Sequence, residues 1–519
     1  MVLGQLSEPI GTAAIAPHRN FLPPRPDDPR LLQDRRYRMV IDGQAVDAAS
    51  GETIRRDSPA HPGVTVATWP RAGREDVDRA LRAARREFDQ GHWPRMSGGE
   101  RSRILHRVAE LILRHQEELA TIETLEVGKA IGQSRGEMAY SADLWSFAAG
   151  AARGLEGETQ NGLGTQGLGL ILRDPVGVVG IVTPWNFPLL IGSERIPWAL
   201  GAGCTVVVKP SEFTSGSTIR LAELALEAGL PPGVLNVVTG YGDPAGQMLA
   251  EDPRTDMLSF TGSARVGKLV GALAADTVKR VGLELGGKGP QVVFADADLD
   301  QATQKIASSI FGCAGQACIS GSRLIVERPV HDELVARITA LAGRIIIGDP
   351  LDDRTKVGSL IHDAHLAKVE SYVAQGVEAG ARLVLGGDRL GQGGCFYAPT
   401  VFTGVTPDMA IARDEIFGPV LSVLPFDTAE QVLELANDTP YGLSASVWTR
   451  DLNRALATIR SIRAGRTWIN TTGDGAPEIA IGGQKQSGLG RELGRHGFDE
   501  YCAFKNVYVA TAPLKPWIE

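Results

Sequence analysis

Val176-Gly177-Val178-Val179-Gly180-Ile181-Val182-Thr183-Pro184-Trp185-Asn186-Phe187-Pro188 decides the fold. Its first half is an apolar run of strand length, rich in β-branched residues. Its second half is turn chemistry, with two prolines around a Trp-Asn-Phe. The surrounding stretch Pro175 to Ser193 carries no charge and is closed by Glu194-Arg195. Interior prolines and an asparagine do not build a membrane-spanning helix. A buried strand feeding a functional loop fits instead.

Downstream, the same texture repeats. Thr205–Val208, Leu235–Val238, Met257–Phe260 and Lys279–Leu283 are short apolar runs, separated by helical patterns such as Ser217–Ala228 and Pro244–Ala250. Strands alternating with helices predict a parallel sheet covered on both faces. A second series follows: Gln291–Phe294, Arg323–Glu327, Phe417–Phe426, Ser444–Trp448 and Thr467–Asn470. Two α/β domains result, with a boundary near Gly286–Pro290. Upstream, Arg38–Val46 predicts a strand and turn with Gly43 at the turn. Helical spacing runs over Glu75–Phe88, and one long amphipathic helix is expected over Ser97–Thr124. Gly154 to Gly169 is a glycine-rich connector before the strand at Leu170–Arg173.

Whole-chain composition narrows the function classes. The 519 residues are 43% hydrophobic and 22% charged, which is ordinary globular usage. A net charge of −8 offers no basic field to nucleic acid or anionic lipid. The five cysteines, Cys204, Cys313, Cys318, Cys395 and Cys502, form neither a pairing framework nor a metal spacing, so no metal is expected and a reducing, cytoplasmic compartment is. Pro9, Pro17, Pro23, Pro24 and Pro26 predict an extended arm over residues 1–36 rather than a targeting segment.

The chain contains a literal G-x-G-x-x-G at Gly162, Gly164 and Gly167. No strand precedes it and no helix follows it, so it reads as connector. Better dinucleotide candidates lie at strand ends. Lys209 and Glu212 follow Val206-Val207-Val208, where ligands of an open parallel sheet bind. A carboxylate there accepts from a ribose 2′-hydroxyl and repels a 2′-phosphate, favouring NAD over NADP. Phe260-Thr261-Gly262-Ser263 reads as a helix N-terminus facing a pyrophosphate. Taken singly, each is as well an ordinary strand end or helix cap.

Three residues carry chemistry. Cys318 lies among small residues, and at a helix N-terminus its thiolate would be stabilised; a lone cysteine is more often a small buried hydrophobe. Glu284, between leucines and then glycines, would reach general-base range on burial. Asn186 offers an amide to a developing oxyanion, or is a turn asparagine.

Together, Pro184-Trp185-Asn186-Phe187-Pro188, Lys209-Pro210-Ser211-Glu212, Phe260-Thr261-Gly262-Ser263, Glu284-Leu285-Gly286-Gly287-Lys288, Gly315-Gln316-Ala317-Cys318, Glu415-Ile416-Phe417-Gly418-Pro419 and Lys485-Gln486-Ser487-Gly488 resemble the aldehyde dehydrogenase superfamily, in its order, from about Tyr37 to Val509. The resemblance implies an α/β fold. A Rossmann-like NAD-binding domain (37–153 and 176–286) accompanies an α/β catalytic domain (287–490) and a small β oligomerisation element (154–175 and 491–519). It implies a homodimer or homotetramer. It makes Cys318 the nucleophile, Asn186 the oxyanion donor and Glu284 the base for thioester hydrolysis. NAD contacts are implied for Trp185, Lys209, Glu212, Gly242, Gly262, Ser263, Glu415 and Phe417. The substrate is a small-molecule aldehyde.

Four departures from the family pattern bear on substrate. Cys313 stands where asparagine is frequent, Glu194 where a tunnel tryptophan is, and Trp198 where a proline is. The loop Asn470-Thr471-Thr472-Gly473-Asp474-Gly475-Ala476-Pro477-Glu478 resembles that of betaine aldehyde dehydrogenases, but Thr472 replaces a cage aromatic. Glu194, Thr472 and Asp474 are the expected substrate contacts, and the acids would draw a betaine- or amino-aldehyde. The alternatives are a semialdehyde dehydrogenase, for which Arg195 is the nearest cation, and a non-catalytic binding protein of the same fold.

Overall fold

A computed structural model describes residues 20–391, 393–513 and 516–518. Pro9 and Pro17 of the expected arm lie outside them. An eight-stranded sheet runs in the order Gly488–Leu489, Arg280–Glu284, Met257–Thr261, Val178–Val182, Thr205–Lys209, Leu235–Val237, Met39–Ile41, Gln44–Val46. Its five central strands are parallel. The apolar runs form them because both faces are covered, so no polar alternation is needed. In chain order, the central strands lie 3-2-1-4-5. The order reverses between Val178–Val182 and Met257–Thr261, and a crevice opens at their carboxyl ends.

One face packs on Trp69, Trp93, Trp145 and Trp198, all fully buried. The helix expected over Ser97–Thr124 is two helices, Gly98–Arg114 and Gln116–Val127. They meet at His115, whose backbone (φ −100°, ψ 19°) breaks the hydrogen-bond ladder. Ser97 and Glu100 form the capping box that starts the first. A third helix, Ile131–Ala151, has no apolar stripe because it is buried on several sides.

The second sheet is seven-stranded, in the order Arg382–Leu385, Thr400–Thr403, Val420–Phe426, Arg323–Glu327, Pro290–Val293, Ser444–Trp448, Arg466–Ile469. The strand expected from Phe417 begins only at Val420, because Phe417 takes a left-handed backbone (φ 61°). The chain crosses between the sheets over residues 285–289 and returns at Gly488–Leu489, which pairs with Leu283 and Glu284 in the first sheet. Phe21–Leu22, within the expected arm, pairs with Ile347–Gly348.

Glu158–Gln160, Gly167–Pro175 and Cys502–Ala510 form a separate three-stranded sheet. The literal G-x-G-x-x-G lies at the hairpin turn of this sheet, outside the parallel sheet. No helix among the described residues is long and apolar enough to cross a membrane.

Candidate active site

The crevice at the strand reversal is a cavity of about 220 Å³, walled by Trp185, Asn186, Thr261, Gly262, Ser263, Glu284, Cys318, Glu415 and Phe417 among others. A second chamber of about 270 Å³ opens on the other side of Cys318 and Glu284. Cys318 and Glu284 therefore line both cavities.

Cys318 is not at a helix N-terminus. It lies in a turn between the short helical segment Gly312–Gly315 and the strand Arg323–Glu327. The loop is held by its own sequence. Gly315 has φ 73°, and a Cβ there would lie 2.1 Å from the Gly418 carbonyl oxygen, so only glycine fits. Gln316 is fully buried; its amide donates to Cys313 O (2.9 Å) and accepts from Ile361 N (2.9 Å). Asn186 Nδ2 in turn donates to Gln316 O at 2.8 Å. That bond uses one amide hydrogen and fixes the other beside the loop. The Cys318 N–H has no acceptor among the described residues.

Burial pushes the Cys318 thiol up to about 12, with Glu415, Glu284 and Glu194 adding to the rise and Arg466 opposing it. The resting group is a thiol, whose proton must leave before the sulfur attacks. Glu284, at the end of its strand, is raised by burial to about 8, and its Oε1 is buried without a partner. Cys313, by contrast, is closed off: its thiol is buried and raised to about 12, and its N–H donates to Gln133 Oε1.

The crevice suits a dinucleotide. Ser263 caps the helix Ala264–Ala275, its hydroxyl accepting from Val266 N. Trp185 and Phe417 meet edge to face at 5.4 Å, and His365 donates from Nε2 to Phe417 O at 2.7 Å. Glu415 accepts from Gly287 N at 3.0 Å. The buried Thr261 hydroxyl is unpartnered. Lys209 and Glu212 stand beyond this cavity, at the end of the next strand. Lys209 donates to Pro210 O and Gly240 O, with Glu212 at 3.9 Å. Gly242 begins the segment Gly242–Gly246 and is exposed.

Of the expected substrate residues, Glu194 lines the second chamber, 3.3 Å from Arg195. Arg195 is itself buried, 3.3 Å from Glu492. Thr472 is buried beside the chamber's Gly473. Asp474 lines an outer cavity instead and is paired with Lys305 at 2.8 Å. Arg466 and Tyr140, which no motif marks, line both the chamber and the outer cavity.

The aldehyde dehydrogenase family model matches residues 45–507. Betaine aldehyde dehydrogenase of Bacillus subtilis is 43% identical over 92% of this chain and 98% of its own. Among solved structures, an NAD-dependent aldehyde dehydrogenase from Sinorhizobium meliloti is 63% identical, with TM-score 0.95 over 96% of this chain and 100% of its own. A betaine aldehyde dehydrogenase from Staphylococcus aureus in complex with NAD+ is 36% identical, with TM-score 0.90 over 93% and 99%. On the strength of the family match, the relatives and the geometry around Cys318, this chain belongs to the aldehyde dehydrogenase family.

Proposed function

We propose that the chain oxidises an aldehyde to a carboxylic acid through covalent intermediates on Cys318. The observation that carries this is the placing of Cys318 and Glu284 on the wall shared by the two cavities. NAD, the cofactor of the family, accepts the hydride when bound. The chain's residues supply the rest. The Cys318 proton passes to solvent, and the thiolate attacks the aldehyde carbon to give a thiohemiacetal. The free hydrogen of the Asn186 amide and the Cys318 N–H meet the oxyanion. Loss of hydride leaves a thioester, whose carbonyl is electrophilic enough for water. Glu284 then takes a proton from that water as it attacks and hands it to the Cys318 sulfur as the acid leaves, which restores both groups. The expected contacts of Trp185, Gly262, Ser263, Glu415 and Phe417 are supported by their places on the crevice wall. Those of Lys209, Glu212 and Gly242 belong to the adenosine end, at the neighbouring strand ends.

The protein is further proposed to be a cytoplasmic homo-oligomer. Support comes from five cysteines without a disulfide and from the edge strand Cys502–Ala510, which leaves Phe504, Tyr508 and Val509 exposed. The chain is read as an NAD-binding domain (37–153 and 176–286), a catalytic domain (287–490) whose Gly488–Leu489 pairs into the first sheet, and an oligomerisation element (154–175 and 491–519).

The test is NADH formation with a mixed aldehyde panel. Cys318→Ala is expected to abolish it while NAD still binds, whereas Cys313→Ala retains it. The reverse pattern would move the nucleophile to Cys313. A wild-type protein inert to the whole panel would favour the non-catalytic alternative.

A further inference from the structure

The second chamber and an outer cavity of about 430 Å³ share Tyr140, Arg466 and Ile481. Tyr140 and Arg466 stand where the two cavities adjoin, on the lining that leads through the second chamber to Cys318. Most charges along it are already matched. Asp474 is held by Lys305, and its Oδ2 also accepts from the Thr471 hydroxyl. Glu194 is 3.3 Å from Arg195, which also meets Glu492. Two donors are not matched. The Arg466 guanidinium forms no ion pair or hydrogen bond with the described residues; it lies 5.5 Å from the Trp468 ring centroid. The Tyr140 hydroxyl is buried without a partner.

These donors converge. A methyl group on Gly475 would lie 2.8 Å from Arg466 Nη2 and 3.3 Å from the Tyr140 hydroxyl. Both therefore reach the same small space beside the Gly475 backbone. A buried hydroxyl without a partner is costly unless something completes it, and the half-buried Arg466 guanidinium beside it is placed to meet an anion. The walls between this point and Cys318 are largely apolar, including Leu190, Ile191, Ile319 and Leu443.

We infer that Arg466 and Tyr140 form a carboxylate-binding subsite, and that the preferred substrates are aldehydes with an apolar spacer and a terminal carboxylate. This rests on the aldehyde-oxidising role of Cys318 and names the substrate class for it. The guanidinium supplies charge and the phenol a hydrogen bond to one anionic oxygen. The acids nearest Tyr140 are Glu194, Asp143 and Glu478. Glu194 is held by Arg195, and Asp143 and Glu478 are exposed, where solvent screens them. Cationic tails, which unpaired acids would have drawn, meet Arg466 first and are disfavoured.

The test compares carboxylate-tailed aldehydes with their methyl esters and with trimethylammonium-tailed aldehydes over a series of matched chain lengths. The wild type is expected to give the highest kcat/KM with the carboxylate at one length. Arg466→Gln should lower the carboxylate-to-ester ratio by roughly tenfold or more, and Arg466→Lys by less. Gly475→Ala keeps the charge but fills the shared space, and its backbone is outside the left-handed region; it should lower the same ratio. Should Arg466→Gln fail to fold, the wild-type ratio and Tyr140→Phe decide. Esters turned over as well as carboxylates at every length, or a ratio unmoved by Arg466→Gln, would overturn the subsite and leave aldehyde oxidation standing. A wild type inert to all three tails would overturn the aldehyde-oxidising role, and the subsite with it.

Discussion

Glu284→Gln separates the two halves of the reaction. Burial places the Glu284 carboxyl at about 8, well above its ordinary range, with Glu492 and Glu194 raising it and Arg195 opposing. An acid so raised is mostly protonated at neutral pH, and only its ionised form accepts a proton. At pH 7 about a tenth is ionised and at pH 9 about nine-tenths, so deacylation in the wild type should rise about tenfold between them. Glutamine keeps the shape and cannot accept the proton. A general base is worth about 10²–10⁴ in rate, or about 2.7–5.4 kcal/mol of barrier. Rapid mixing of the variant with NAD and aldehyde should give an NADH burst near one equivalent per site, then turnover slowed by that factor. The variant's slow phase should also lose the pH dependence. Wild-type turnover in the variant, or a wild-type profile flat between about pH 7 and 9, would remove Glu284 from the mechanism.

Other perturbations follow from the same geometry. Glu212→Ser should narrow the preference for NAD over NADP, measured as the ratio of kcat/KM; a wild type that prefers NADP would refute the placement of Glu212 at the ribose. Lys129→Met should destabilise the fold by about 3–5 kcal/mol, because Lys129 is buried between Glu123 and Glu137 and also touches Asn186 O at 3.4 Å. Calorimetry should show a lower melting temperature, and an unchanged one would show that the two carboxylates protonate without cost.

Much of the site was legible because the fold concentrates it at strand ends. Val178–Val182 and Met257–Thr261 announce themselves as apolar runs, and the residues just after them become the crevice. Other features depend on tertiary context. The break at His115 depends on packing, since the helix after it, Gln116–Val127, is buried without interruption from Leu119 onward. Gly488–Leu489 is too short to signal a strand and is one only because Arg280–Glu284 offers an edge. Cys318 owes its position to Gly315 and Gln316 rather than to a helix, and burial raises its thiol. Tyr140 lies on the helix Ile131–Ala151 and Arg466 on the strand Arg466–Ile469, more than 300 residues apart, so no local pattern links them. Asp474 looked like a substrate contact because its pairing with Lys305 joins segments remote in sequence.

The most direct test of the central claim is the mass of the trapped intermediate. Glu284→Gln mixed with NAD and an aldehyde, quenched in acid within the burst and digested, should carry one acyl group on the Cys318 peptide. Its mass gain should equal the aldehyde less two hydrogens, since the thiol proton and the hydride are both lost. An unmodified Cys318 peptide despite a full NADH burst, or the acyl group on Cys313, would contradict it.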